Sequence, residues 1–103
     1  MSTMLEPDSP IVADAVLMNR LAQRDSTALV ELERRHRSSL YAQAYAILID
    51  AVAAEQVVRD AFAQLWYDAA YYSTKRSPSA LLREMAKQLA RAERALRDSA
   101  RWR

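Results

Sequence analysis

Residues 77–97 have the sequence SPSALLREMAKQLARAERALR, and this stretch decides the fold class. Ser77 followed by Pro78 is a strong helix start, because serine caps a helix and proline suits its first turn. Six apolar side chains then lie within an arc of about 100°: Leu81, Leu82, Met85, Leu89, Ala92 and Leu96. Six basic side chains on the other side, the basic ridge, lie within about 120°: Arg83, Lys87, Arg91, Arg94, Arg97 and Arg101. The pattern predicts a helix that docks through one face and presents cations on the other. Few acidic residues relieve the like-charged series Arg83, Lys87 and Arg91.

The composition favours an all-helical protein of one domain. The chain has 103 residues, no Gly and no Cys, and roughly a fifth of its residues are Ala, the strongest helix former. Without Gly there is no phosphate-binding glycine loop, and without Cys there is no disulfide or thiol catalysis. The single histidine, His36, lies among arginines, where we expect an exposed or partly exposed side chain. We expect no enzyme activity, no cofactor and no metal.

Three further helices are predicted before residue 77. Periodic apolar residues place them from residue 11 or 14 to 24, from 27 to 48 and from 51 to 71. The stretch 25–27 (Asp-Ser-Thr) offers an N-cap for the second of these helices, and Asp50 is the candidate cap of the third. In the first, Val16 is predicted to share the buried face with Leu17 and Leu21. The result is a compact bundle of about four helices.

The ends of the chain differ from its body. Residues 1–10 contain two prolines and two acidic residues, and predict a disordered lead-in to a single helical domain over 11–103. Residues 1–72 carry a net charge of −4, whereas residues 73–103 carry +6. Such an asymmetry favours an anionic partner for the basic end. No targeting segment or membrane-spanning run is visible, so we expect a cytoplasmic protein without a membrane partner.

A series of short motifs follows the chain in a familiar order. The most specific is AEQVVRDAFAQLW at residues 54–66. Before it come LAQRD at 21–25, ALVEL at 28–32, RRH at 34–36 and LYA at 40–42, and after it come a basic loop and a helix rich in Leu, Ala and Arg. Over residues 14–103 this ordered set resembles region 2 of the extracytoplasmic-function (ECF) sigma factors of bacterial RNA polymerase.

The resemblance implies an all-α, sigma region 2-like fold with two binding surfaces. One would bind the clamp helices of the polymerase β′ subunit through Glu55, Gln56, Arg59 and Asp60. The other would recognise and open the minus-ten promoter element, holding the non-template DNA strand. The DNA-binding residues would be Tyr71, Tyr72, Lys75, Arg76, Arg83, Lys87, Gln88, Arg91 and Arg94. This second surface also suits the physics, since single-stranded DNA binds to cations along its backbone and to aromatic rings that stack on its bases.

The chain departs from the family pattern at several of these or neighbouring positions, among them Leu81-Leu82, where the family often has Trp-Leu. Gln56 replaces an acidic residue and Arg59 replaces a Gln, so the polymerase-binding surface is less acidic. Glu84 replaces an Arg near the DNA face, and Gln88 replaces an Asn. The sequence also has no region 4 helix-turn-helix, and we expect either a part of a longer sigma factor, which we favour, or a stand-alone region 2 protein.

These departures leave a second interpretation open. The chain is then a degenerate sigma-like module that binds polymerase or an anti-sigma factor without reading DNA. A third interpretation, a helical bundle whose basic face binds an anionic membrane, ranks last, because the basic helix lacks a face rich in Trp and Phe.

Overall fold

Five helices form the described part of the chain, which covers residues 12–72 and 76–101 of this computed structural model. They are α1 (Asp14–Ala22), α2 (Ser26–Leu48), α3 (Ala51–Tyr67), α4 (Ala69–Tyr72) and α5 (Pro78–Arg101). Those ranges contain no strand, which confirms the all-α prediction, although the number of helices is five rather than about four. The lead-in predicted over 1–10 and the loop residue Lys75 lie outside the described residues.

The long helix α2 is the centre of the bundle. It packs against α3 and α5, which also contact each other, and α1 lies on α2 and α4. Their shared core is entirely apolar among the described residues, with Phe62 as its largest fully buried side chain. Leu17, Leu32, Leu40, Leu65 and Leu82 pack in the same core. Burial of these side chains stabilises the bundle by about 1.5–3 kcal/mol each.

The predicted helix starts are confirmed. The side chain of Asp25 accepts a hydrogen bond from the Thr27 amide at 3.0 Å, and that of Asp50 accepts one from the Ala53 amide at 3.0 Å. These bonds satisfy amides that have no partner inside the helix. The hydroxyl of Ser77 likewise accepts from the amide of Ala80 at 3.1 Å. The α5 helix continues to Arg101, beyond its predicted minimum of Arg97.

The end of α2 has a left-handed residue that is not glycine. Ile49 adopts φ 50° and ψ 45°, and its amide donates to the Tyr45 carbonyl at 2.7 Å. This conformation is the usual end of a helix, but it is costly for a β-branched side chain. The chain has no Gly that could occupy this turn, so Ile49 adopts the costly conformation itself. The side chain of Ile49 is largely exposed.

Replacing Ile49 with glycine is therefore expected to stabilise the protein, by about 1 kcal/mol. The left-handed conformation is accessible to glycine without steric cost, and Ile49 contributes little burial. Urea denaturation would measure the change. Ile49→Ala is the control, because alanine loses the β-branch but keeps the Cβ that the left-handed conformation disfavours, and it should gain less stability than glycine. A destabilised Ile49→Gly variant would contradict this account of the turn.

The helix predicted over 51–71 is divided in two. It breaks at Asp68, whose φ of −106° and ψ of 16° interrupt the helix before α4 begins. The carbonyl of Trp66 accepts a hydrogen bond from Arg24 Nη1 at 2.6 Å, and the same guanidinium stacks 3.8 Å from the centre of the Trp66 ring. Arg24 lies in a left-handed turn two residues beyond the end of α1, which the sequence places inside the helix. A side chain 42 residues away therefore binds the end of α3.

The buried face of α5 also differs from the predicted one. Leu82, Ala86 and Ala90 are fully buried, whereas Leu96, predicted to face the core, is 68% exposed. The last turns of α5 bring a different side toward the bundle, where Arg94 and Arg97 contact the turn between α2 and α3. In α1, Val16 is exposed as well, so its predicted place beside Leu17 and Leu21 is wrong.

Candidate functional site

The four candidate polymerase-binding residues all lie exposed on α3. Three of them form a hydrogen-bonded chain along the helix. Arg59 Nη2 donates to Gln56 Oε1 at 2.9 Å, and Gln56 Nε2 donates to Asp60 Oδ1 at 2.8 Å. The Gln56 amide thereby connects a guanidinium to a carboxylate. This surface carries both charges, with the amide group between them.

Glu55 and Asp60 lie on different sides of this exposed surface. Glu55 lines a cleft of about 220 Å³ between α2 and α3, together with Arg37 and Tyr41. Gln56 and Asp60 instead line a groove between α3 and α5. A partner that contacts all four residues must therefore cover the full width of α3.

Three candidate DNA-binding cations meet in one place. Arg76 precedes α5, and Arg83 and Lys87 lie on its first three turns. We call the site the basic cleft, a depression of about 310 Å³ with these lining residues: Gln43, Arg76, Ala80, Arg83, Glu84 and Lys87. Folding thus collects cations that are eleven residues apart in the sequence.

Gln43 of α2 belongs to the basic cleft and was not predicted. Its Nε2 donates to the backbone carbonyl of Arg83 at 3.0 Å. Its Oε1 is buried and has no hydrogen-bond partner among the described residues. An unpaired buried carbonyl oxygen is costly, so this atom is a potential acceptor for a ligand donor or a water molecule. Only a helix–helix contact places Gln43 here, which is why the sequence pattern did not indicate it.

The acidic departure Glu84 is partly compensated within the cleft. Its Oε1 lies 3.6 Å from Lys87 Nζ, and its Oε2 accepts from Gln88 Nε2 at 2.9 Å. The Gln88 amide is therefore engaged on its own helix. Arg83 and Arg76 are both exposed. Arg83 forms no ion pair within the described ranges.

The basic ridge changes character beyond Arg91. Arg94 Nη1 donates to the Ile47 carbonyl at 2.9 Å, in the last turn of α2. Arg97 pairs with Asp50 at 3.1 Å, and the pKa of Asp50 is lowered, chiefly by the Ala53 amide and further by Arg97. In this half Arg94, Arg97 and Arg101 form ion pairs with Asp50, Glu93 and Asp98. In the series Arg83, Lys87 and Arg91, by contrast, only Lys87 has an ion-pair neighbour among the described residues, Glu84.

The two tyrosines before the loop have different surroundings. Tyr71 is 84% exposed, whereas Tyr72 is half-buried and packs against the core. Their rings meet edge to face, with centroids 5.3 Å apart. Three residues lie between Tyr72 and Arg76, so their Cα atoms are at most about 14 Å apart. Tyr71 is thus an outward aromatic ring at the end of α4, and the ring of Tyr72 packs against it.

A charged cluster between α1 and α2 was also missed. His36, which is half-buried, lies 2.7 Å from Asp14 Oδ2 through its Nε2. Arg35 bridges Asp14 and Glu31, with 2.9 Å to each. Hydrogen bonds from Arg34 and then Arg35 lower the pKa of Glu31 to about 2. The cluster connects residues about 20 positions apart, so only the fold brings its members together.

The described residues include no group suited to bind a metal. None of the described helices is long and apolar enough to span a bilayer.

Comparison with known proteins found no matching family model, curated protein or solved structure.

Proposed function

We propose that this chain is a region 2-type domain of an ECF sigma factor. In this proposal α3 binds the β′ clamp helices of RNA polymerase, and the basic cleft with Tyr71 holds the non-template strand of a minus-ten promoter element. The protein then acts in the cytoplasm, where polymerase is, and an anti-sigma factor is a further potential partner. It has no catalytic role of its own.

The observation that carries the proposal is the combination of an outward aromatic ring and a cluster of cations. Single-stranded DNA gains affinity from backbone contacts to Arg and Lys and from stacking of bases on aromatic rings, at about 1–3 kcal/mol per stacked base. Tyr71 is available for stacking, and Arg76, Arg83 and Lys87 are available for phosphates. Arg91 extends this surface along α5, whereas Arg94 is engaged with the end of α2.

The polymerase-binding part of the proposal is supported by the exposed surface of α3. Its side chains are polar and already ordered by mutual hydrogen bonds. An ordered polar surface loses less conformational entropy when a partner binds. Asp60 is the best single probe there, because its only described hydrogen bond is to a neutral amide, which leaves the carboxylate available to a cation of the partner.

The position of Glu84 favours a second candidate function. A carboxylate in the basic cleft repels phosphate and weakens DNA binding, even though Lys87 lies near it. The chain is then an interaction module that binds polymerase or an anti-sigma factor and has only weak, salt-sensitive and sequence-independent affinity for DNA.

Binding to the isolated clamp-helix segment of β′ tests the main proposal. We expect micromolar or tighter affinity by fluorescence anisotropy at two salt concentrations. Asp60→Lys should weaken it roughly tenfold, since reversing a charge that faces a cation costs about 1.4 kcal/mol or more. Glu33→Lys, on α2, is the matched control and should bind normally. Absence of binding by a chain that circular dichroism shows to be helical would reject the polymerase-binding role.

A further inference from the structure

The cleft between α2 and α3 has a lining that the proposed function leaves largely unused. We call it the α2–α3 cleft, and its lining residues are Arg37, Ser38, Tyr41, Glu55 and Val58. Its volume is about 220 Å³, which is the space of about seven water molecules at roughly 30 Å³ each. Sites for drug-sized ligands measure roughly 300–1,000 Å³. A ligand of this cleft is therefore smaller than a typical drug molecule.

The α2–α3 cleft carries one cation and one anion, and both are free. Arg37 and Glu55 are exposed, and neither side chain forms an ion pair or a hydrogen bond within the described residues. The end of α5 is different, because each of its arginines has an acidic neighbour. A ligand that has one positive and one negative group would find an available partner for each in this cleft.

The two charged residues lie toward opposite ends of the cleft. A turn of two residues joins α2 to α3, so the two helices run antiparallel. Arg37 lies eleven residues before the end of α2, and Glu55 lies four residues after the start of α3. At 1.5 Å per residue their levels along the helix pair differ by about 10 Å. This separation is too long for the adjacent charges of a single amino acid and suits the ends of an extended dipeptide, which spans about 7 Å.

The wall between the two charges is apolar and aromatic. Val58 is almost fully buried, and Tyr41 is half-buried and packs against the core. The ring of Tyr41 stacks on that of Tyr45, with centroids 6.0 Å apart and 27° between the planes. The ring is thus held in place before a ligand arrives, which lowers the entropy cost of binding. Ser38 adds a hydroxyl group that can donate or accept a hydrogen bond.

We propose that the α2–α3 cleft binds a short peptide with free ends, of about two residues. The terminal carboxylate of the peptide pairs with the guanidinium of Arg37, which can donate two parallel hydrogen bonds to it. The terminal ammonium pairs with Glu55, and an apolar side chain of the peptide packs on Tyr41. Since both ion pairs are exposed to water and the cleft is small, we expect a dissociation constant of about 1 mM.

Peptide binding has a consequence for α3, and this consequence alone rests on the function proposed above. A bound peptide covers Glu55, which is one of the four residues assigned to polymerase binding. The peptide and the β′ clamp helices therefore compete for this side of α3. A high concentration of short peptides lowers the affinity of the chain for the clamp helices.

A nuclear magnetic resonance titration of the whole chain with the dipeptide alanyl-leucine tests the binding in the absence of polymerase. We expect the amide signals of Ser38, Tyr41 and Val58 to shift and to approach saturation by about 10 mM dipeptide. An N-acetylated dipeptide lacks the ammonium, and a C-amidated dipeptide lacks the carboxylate. Each capped form should bind about fivefold more weakly than the free dipeptide.

Two variants test which end of the peptide meets which residue. Arg37→Gln should bind the free dipeptide about fivefold more weakly but lose no affinity for the C-amidated form, which has no carboxylate. Glu55→Gln should show the reverse, with no loss for the N-acetylated form. Glu33→Gln is the matched control, because it removes a carboxylate from α2 outside the cleft, and it should bind all three peptides normally.

Circular dichroism would show that the variants stay helical. A titration without saturable shifts would overturn the proposal, and so would equal binding of the free and capped dipeptides. An equal loss of the free and C-amidated forms in Arg37→Gln would reject the assigned orientation. A chain that binds the dipeptide but not the clamp helices would leave peptide binding intact and reject only the competition, so the two proposals can fail separately.

Discussion

Truncating Phe62 to alanine is expected to lower the free energy of unfolding by about 3–5 kcal/mol. Phe62 is 2% exposed and is the largest fully buried side chain of the described core. The truncation removes the transfer free energy of the ring and leaves a cavity that the surrounding helices fill only in part. A domain of this size is stable by about 5–15 kcal/mol, so this one change can remove a third or more of that stability.

Chemical denaturation followed by circular dichroism would measure the loss. Tyr67→Ala is the matched control, because Tyr67 is an aromatic residue of the same helix that is 78% exposed. Its truncation should change stability by less than about 0.5 kcal/mol. A Phe62→Ala loss below about 2 kcal/mol, or an equal loss in both variants, would mean that Phe62 is not the centre of the core.

Neutralising two arginines of the basic cleft is expected to weaken binding of single-stranded DNA about 25-fold at 0.1 M salt. The reason is counterion release: each phosphate contact on a single strand contributes about 0.7 to the slope of log affinity against log salt. The double variant Arg76→Gln and Arg83→Gln should therefore reduce that slope by about 1.4. Neither arginine forms an ion pair within the described residues, so folding should be unaffected.

A matched double variant separates this local effect from the loss of net charge. Arg37→Gln and Arg59→Gln remove the same two charges from exposed positions on α2 and α3 that do not line the basic cleft and form no ion pair within the described residues. We expect less than about a threefold change in affinity for this control, from long-range attraction alone. Equal losses in both double variants would reject the basic cleft as the DNA-binding site and favour the interaction module.

Much of the local structure could be predicted because its causes are local. Asp25, Asp50 and Ser77 cap the helices that follow them, since a side-chain oxygen reaches an amide two or three residues away in any context. The absence of Gly and the abundance of Ala exclude protein folds that depend on glycine-containing turns and favour an all-helical protein. The all-α class and the approximate helix ranges follow from these features.

The candidate site could be predicted only in part. Arg76, Arg83 and Lys87 were identified as cations of one region, and they do line one cleft. Gln43 completes that cleft from another helix, at a distance of 40 residues in sequence from Arg83. No periodic pattern along the chain carries such a pairing, because it depends on how two helices pack.

The amino-acid sequence by itself determined which segments are helical, where most of them begin and which of them are amphipathic. Only the tertiary structure decided how these helices meet and which side the last turns of α5 present to the bundle. It turned Arg94 and Arg97 toward the α2–α3 turn, exposed Leu96, and broke the third helix at Asp68 beside the Arg24–Trp66 contact. Helix formation depends on neighbours within one or two turns, whereas burial depends on the shape and charge of elements that the chain brings back from far away.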